Sequence, residues 1–209
     1  MKSPSSRPSA FRRIDETSDA VFYSMPRKVY HIDEAAVAAV TQLYRRYLQP
    51  GGDTLDLMSS WVSHFPEELA LGKTTGLGMN AEELRANPRL SDWLVQDLNE
   101  KPQLPFANAV FDQAVICVSV DYLVHPLAIF DELARVLRPG GPLIVTFSNR
   151  CFPTKVIQAW LQCDDAGRIA WVKDYFHRTG PWRDIQAIDA SPGAGRDPLY
   201  GVIGYAQGT

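Results

Sequence analysis

The chain has 209 residues, 45% of them hydrophobic and 22% charged, which suits one α/β domain with a real core. A formal net charge of −3 supplies no positive field for a nucleic acid or an anionic membrane, so neither is expected as a partner. Three scattered cysteines, Cys117, Cys151 and Cys163, form no CxxC pair, which argues against a disulfide framework or a metal site and points to a reducing, cytoplasmic compartment.

Residues 1–20 are polar and rich in Ser and Pro, and read as a mobile tail rather than a secretory signal. Residues 21–209 read as a single domain. Asp33 is a good N-cap, and Val37, Val40, Leu43 and Tyr47 recur at helical spacing, so 34–48 is expected to be an amphipathic helix. Pro50-Gly51-Gly52 stops it. Residues 54–58 read as a buried parallel strand carrying one acid, Asp56. Pro66 with Glu67 and Glu68 predicts a short helix start. A weak strand at 74–77, a helix capped by Asn80 and a strand at 93–95 follow. Residues 111–117 form a strong central strand, and Leu127, Phe130, Leu133 and Leu137 give a helix cut by Pro139-Gly140-Gly141. A strand at 143–147, helices near 154–161 and 166–177, and two β-rich runs at 184–188 and 199–205 complete the chain.

Alternation of strand and helix from 54 to 147 implies a parallel sheet with right-handed crossovers. Ligands of such sheets sit beyond the carboxyl ends of the strands. Asp56, Met79, Asp97 and the stretch from Cys117 to Asp121 all follow strand ends, so the topology gathers them on one rim.

Leu104-Pro105-Phe106, Phe111-Asp112 and the run from Asp131 to Gly141, with Arg135-Val136-Leu137-Arg138-Pro139-Gly140-Gly141 at its end, resemble the class I, type 11 methyltransferase domain. The resemblance extends over about residues 22–147. It implies a Rossmann-like fold whose mostly parallel sheet is closed by a C-terminal antiparallel strand pair, and S-adenosylmethionine as cofactor. The family's D-x-G-x-G-x-G loop falls on Asp56-Leu57-Met58-Ser59-Ser60-Trp61-Val62, where the acid is kept and the glycines are not. Ser59 and Ser60 are small enough for close approach to a ligand; Met58 is not. The family's ribose-binding acid falls on Gly78, with Asn80 two residues on as a weaker neutral partner. The family's adenine-binding acid falls on Asp97, with Leu98 beside it and Met79 over the adenine face.

The segment 22–32 is expected to close over the cofactor, with Tyr23 and Arg27 reaching it. Arg27 can clamp a carboxylate with its planar fork; an exposed surface arginine is the other reading. Cys117 ends the central strand at the same rim. Asp121, Tyr122 and His125 follow that strand where the family faces its substrate, and are candidates for removing a proton. Asn149-Arg150 is a candidate for an anionic substrate group, and His64 for either the pocket or the core. Two functions stay open: methyl transfer to a small molecule, or a methyltransferase fold that holds a ligand or partner without turnover, which the altered loop would suit. A nicotinamide dehydrogenase is disfavoured, because no GxGxxG follows the first strand.

Overall fold

A computed structural model describes residues 8–208. Seven strands form one sheet: Thr54–Leu57 (β1), Thr74–Gly78 (β2), Asp92–Val95 (β3), Gln113–Cys117 (β4), Pro142–Phe147 (β5), Trp182–Asp189 (β6) and Tyr200–Ala206 (β7). Their order is β3-β2-β1-β4-β5-β7-β6. The first five pair in parallel, and β7 lies antiparallel between β5 and β6. The expected Rossmann-like sheet with its closing antiparallel pair is thus present.

Side chains alternate between the two faces of the sheet with the period of two that any strand imposes. Val115 and Ile144 meet Ala36, Val40, Leu43 and Tyr44 of the helix Glu34–Tyr47 (α2, following the short helix α1 at Asp19–Phe22). Ala114, Ile116, Leu143 and Val145 belong to the opposite core, with Pro126–Val136 (α4) and Asp165–Arg178 (α6). Asp33 caps α2 as expected, accepting the N–H of Ala36 at 2.9 Å. Each fully buried aliphatic here contributes roughly 1.5–3 kcal/mol.

Two expected helices differ. No helix starts at Pro66; between β1 and β2 there is only a turn near Glu67. The Arg89 guanidinium donates to the carbonyls of Pro66 and Leu69 at 3.0 Å each, capturing acceptors that a helix would have used. Ala81–Ala86 (α3) does form under its Asn80 cap. The helix expected at 154–161 is reduced to Gln158–Gln162 (α5). Lys155 is drawn inward there, and the N–H of Ile157 goes to the carbonyl of Asp121 at 3.0 Å.

Residues 8–20 are not a tail; the part of that expectation covering 1–7 lies outside the described residues. Phe11 packs edge-on against Trp171, and the carbonyl of Arg12 accepts the N–H of Gln158 at 2.7 Å. Arg13 donates twice to Asp19, at 2.8 and 2.7 Å. The Lys155 ammonium, fully buried, lies 3.2 Å from both Asp15 and Asp19 and donates to the carbonyl of Thr17 at 2.6 Å. Burial works against an ionised Asp19, but hydrogen bonds from Arg13 and Asn99 and the charge of Arg13 outweigh it, holding this carboxyl below the usual range.

Asp121, in the turn Val120–Tyr122, is buried with Oδ2 unpartnered, and burial raises its pKa to about 8. Its carboxyl is therefore mostly neutral at pH 7.

Two outcomes follow from these buried groups. Lys155→Met leaves Asp19 short of a cation and should cost on the order of 3 kcal/mol in urea unfolding, with new protease cleavage within 9–22. A loss below about 1 kcal/mol would show that the cluster does not hold the segment. For Asp121, the unfolded carboxyl ionises near about pH 4, while the folded one holds its proton to about pH 8. Between those values the folded state binds a proton that the unfolded state lacks, so stability falls as pH rises. The cleaner window is about pH 7 to 8, above the midpoint of the unfolded histidines, His31 and His64, at about 6.5 and that of folded Asp56 at about 6. Asp121→Asn should flatten the slope there, up to about 1.4 kcal/mol per pH unit, in denaturant melts. An unchanged slope would refute a neutral Asp121.

Candidate functional site

The sheet order turns outward in both directions from β1 and β4, which makes the crevice at their carboxyl ends the natural ligand site. A cavity of ≈140 Å³ opens there. Of the residues singled out from sequence, Tyr23, Arg27, Met58, Ser59, Ser60, Met79, Asn80, Asp97, Leu98, Cys117 and Tyr122 all line it. A second cavity of ≈60 Å³ adjoins it and takes in Asp56 and His64. Asp121 and His125 line neither. The first points into the core, and His125 sits exposed at the N-cap of α4. Arg150 is also exposed and pairs with Asp197 at 3.6 Å, away from both cavities.

The loop after β1 departs most from the family pattern. Met58 has φ 58°, a left-handed backbone that costs a residue with a Cβ roughly 1–2 kcal/mol. Val118, after β4, has φ 48°, an outlier for a branched side chain. The Ser59 N–H donates to the carbonyl of Leu77 at 2.9 Å, so the loop runs on beside the end of β2. A Cβ at Gly78 would fall 2.2 Å from the carbonyl oxygen of Ser59. An acid at residue 78 therefore cannot coexist with this loop path.

The loop serines are spoken for. Ser59 and Ser63 donate to Oδ2 of Asp56 at 2.7 and 2.6 Å, and Ser60 donates to Glu83 at 2.8 Å. Burial nevertheless pushes Asp56 up to about 6 against the two hydroxyls. Asn80 is fully engaged as well. Its oxygen accepts the N–H groups of Glu82 and Glu83, and its amide donates to the carbonyls of Tyr23 and Ser24. A ribose bond from Asn80 is therefore not available in this arrangement; the residue caps α3 and ties down the segment above it.

Three buried polar atoms on the cavity wall have no hydrogen-bond partner: Oδ2 of Asp97, Nη1 of Arg27 and Oγ of Ser119. Asp97 spends Oδ1 on the N–H groups of Asn99 and Glu100, at 2.9 and 3.4 Å. Arg27 lies 4.2 Å over the Phe22 ring and donates through Nη2 to the carbonyl of Phe22 at 2.8 Å. Its backbone N–H donates to Glu83 at 2.5 Å. The segment from Tyr23 to His31 thus lies across the cavity, fastened to α3.

Sequence reasoning missed several wall residues. Asn99 donates to Asp19 and to the carbonyl of Tyr122, at 2.8 and 2.9 Å, joining the buried ion cluster to the cavity. Phe152 packs on His31 at 5.3 Å, and its N–H donates to the Tyr122 hydroxyl at 2.8 Å. Only Asn99 carried a signal, beside Asp97 at a strand end. Burial lowers the pKa of His31, keeping the imidazole neutral, and raises the hydroxyls of Tyr23 and Tyr122, keeping both as phenols.

A methyltransferase domain family model matches residues 62–145, starting at the last position of the altered loop. A malonyl-[acyl-carrier protein] O-methyltransferase of Hahella chejuensis is 32% identical over 108 residues, 49% of this chain and 38% of that protein. The chain thus spans little more than a third of that relative's length. Among solved structures, the complex between the Haloferax volcanii Trm112 methyltransferase activator and the putative methyltransferase contains a similar chain. That likeness has a TM-score of 0.60 at 15% identity, covering 82% of this chain and 90% of that one. A methyltransferase from Mesorhizobium loti gives 0.59 at 16%, covering 80% and 98%. These likenesses establish the fold of class I methyltransferases, and within it residues 62–145 match a methyltransferase domain.

Proposed function

We propose that the larger cavity binds S-adenosylmethionine and that the protein transfers its methyl group to a small-molecule acceptor. The observation that carries this reading is the set of unpartnered buried atoms on one wall, Oδ2 of Asp97 and Nη1 of Arg27 above all. Buried polar atoms without partners are costly, so a ligand that completes them is favoured. An acceptor at Asp97 suits an adenine amino group, and a donor at Arg27 suits a carboxylate. The residues present fit the cofactor.

The cofactor supplies a methyl group already activated on a sulfonium. Asp97 accepts from the adenine amine, with Leu98 beside it and Met79 against the ring face. Arg27 holds the carboxylate, and Tyr23 packs next to it. The acceptor enters between Tyr122, Phe152 and the segment from Tyr23 to His31. Alignment and exclusion of water then carry much of the rate. The neutral imidazole of His31 is the wall group suited to take a proton from the acceptor, while the Tyr122 phenol donates and orients. Asp121 and His125 act outside the cavity, in packing and at the start of α4. The closed segment leaves room for a small acceptor rather than a polymer. Three free cysteines suit a reducing, cytoplasmic setting. No helix among the described residues is long and apolar enough to cross a membrane.

Isothermal titration of S-adenosylmethionine into the protein tests the reading directly. Saturable binding is expected, and none at millimolar ligand would overturn it. Asp97→Ala should weaken binding by about 1–3 kcal/mol, since it removes an acceptor from a buried amine. Unchanged affinity in a normally melting variant would remove Asp97 from the site. Arg27→Lys should weaken binding, and Arg27→Ala more, because the ammonium lacks the planar fork. Decarboxylated S-adenosylmethionine should be nearly indifferent to Arg27→Ala. Equal losses for both ligands would mean that the arginine acts through the fold of its segment and not as a clamp.

A further inference from the structure

The two cavities share a wall of His31, Met58, Ser59, Ser60, Cys117 and Val118. Five of these are held in place. The serine hydroxyls are bonded to Asp56 and Glu83. His31 packs on Phe152. Cys117 ends a strand, and Val118 is branched, with its N–H bonded to the carbonyl of Thr146 at 2.8 Å. Met58 packs against the core as well, but an unbranched thioether with three rotatable bonds has more arrangements open to it than the other five.

The chemistry on the two sides of Met58 also differs. The larger cavity holds Asp97, Leu98 and Met79, a set for a nucleoside. The smaller holds a buried carboxylate, Asp56, which suits an ammonium. A ligand carrying both a nucleoside and an amino-acid end therefore straddles the wall, its carboxylate toward Arg27 of the larger cavity and its ammonium toward Asp56 of the smaller.

We infer that Met58 is a selectivity residue that divides the cofactor site, so that the ammonium of the amino-acid end reaches Asp56 only when the thioether swings aside. This rests on the cofactor reading above. Nucleosides without that end bind the larger cavity unhindered. Ligands with it are weakened by the fraction of molecules in which Met58 stands clear. Glycine at residue 58 accepts the left-handed backbone without strain, so the replacement keeps the loop path and removes the wall.

The test is calorimetric titration with two neutral thioethers, S-adenosylhomocysteine and 5′-methylthioadenosine, which share the adenosine and differ in the amino-acid end. Met58→Gly should tighten S-adenosylhomocysteine by about tenfold and leave 5′-methylthioadenosine within about twofold. Met58→Leu keeps a side chain of similar size but a stiffer, branched one, so it should not tighten S-adenosylhomocysteine and should leave 5′-methylthioadenosine near its native affinity. Melting curves establish that each variant is folded. An equal gain for both ligands, or no gain for S-adenosylhomocysteine while 5′-methylthioadenosine binds, overturns the dividing role and leaves the cofactor reading intact. Binding of neither nucleoside to any variant overturns both.

Discussion

The carbonyl of Ser59 stands where any side chain at residue 78 would begin, and much of the site hangs on that contact. The loop after β1 continues alongside β2 instead of rising into a helix. To take that path, Met58 accepts a left-handed backbone. The same path sets Ser59 and Ser63 against Asp56 and Ser60 against Glu83. Glu83 in turn catches the backbone of Arg27, and Asn80 catches that of Tyr23 and Ser24. A single close approach between two strand ends therefore determines how the N-terminal segment lies over the cavity.

From below, the same segment is held by buried charge. Lys155 and Arg13 converge on Asp19, and Asn99 carries the network to the carbonyl of Tyr122 and the N–H of Val124. Buried ion pairs are seldom a net gain over apolar packing, but removing one partner is expensive. Such a cluster fixes a geometry more than it adds stability. Here it fixes α1 relative to the turn that carries Tyr122, so two walls of the cavity are set by one group of charges.

Most of the sheet was legible because its signals are local. The apolar runs at β4 and β5, the Asp33 and Asn80 caps, and the Pro139-Gly140-Gly141 stop each act within a few residues. The place of Asp97 on the cavity wall was legible for the same reason, since it is an acid just past the end of a strand. The misreadings were all non-local. The helix start at Pro66 is locally good, but Arg89 takes its carbonyls from 20 and 23 residues away. A Ser- and Pro-rich stretch looks like a tail unless one knows that Lys155, 138 residues from Thr17, is buried against it. Asp121 looked reactive beside the central strand, and only packing shows that its carboxyl faces the core. Loss of the glycines was visible, but the path that the loop takes without them was not, since nothing in Met58-Ser59-Ser60 encodes a neighbour.

The placement of Arg27 shows how a cavity can keep a cation ready for use. A buried guanidinium usually takes a carboxylate as its counterion, and a ligand anion must then compete with it. At Arg27 the charge rests on ring faces, with Phe22 at 4.2 Å, Phe152 at 5.4 Å and Tyr23 at 5.7 Å. Aromatic faces attract a cation without using its N–H groups in the plane of the fork. One nitrogen is held by the Phe22 carbonyl, which fixes the orientation of the plane, and Nη1 stays unspent. A group oriented in this way loses little freedom when an anion arrives, so more of the interaction appears as affinity. Altered glycines lower the number of backbone N–H groups that a loop can offer; under the cofactor reading proposed above, an arginine held by rings would compensate, at the cost of tying ligand binding to the order of the segment that carries it.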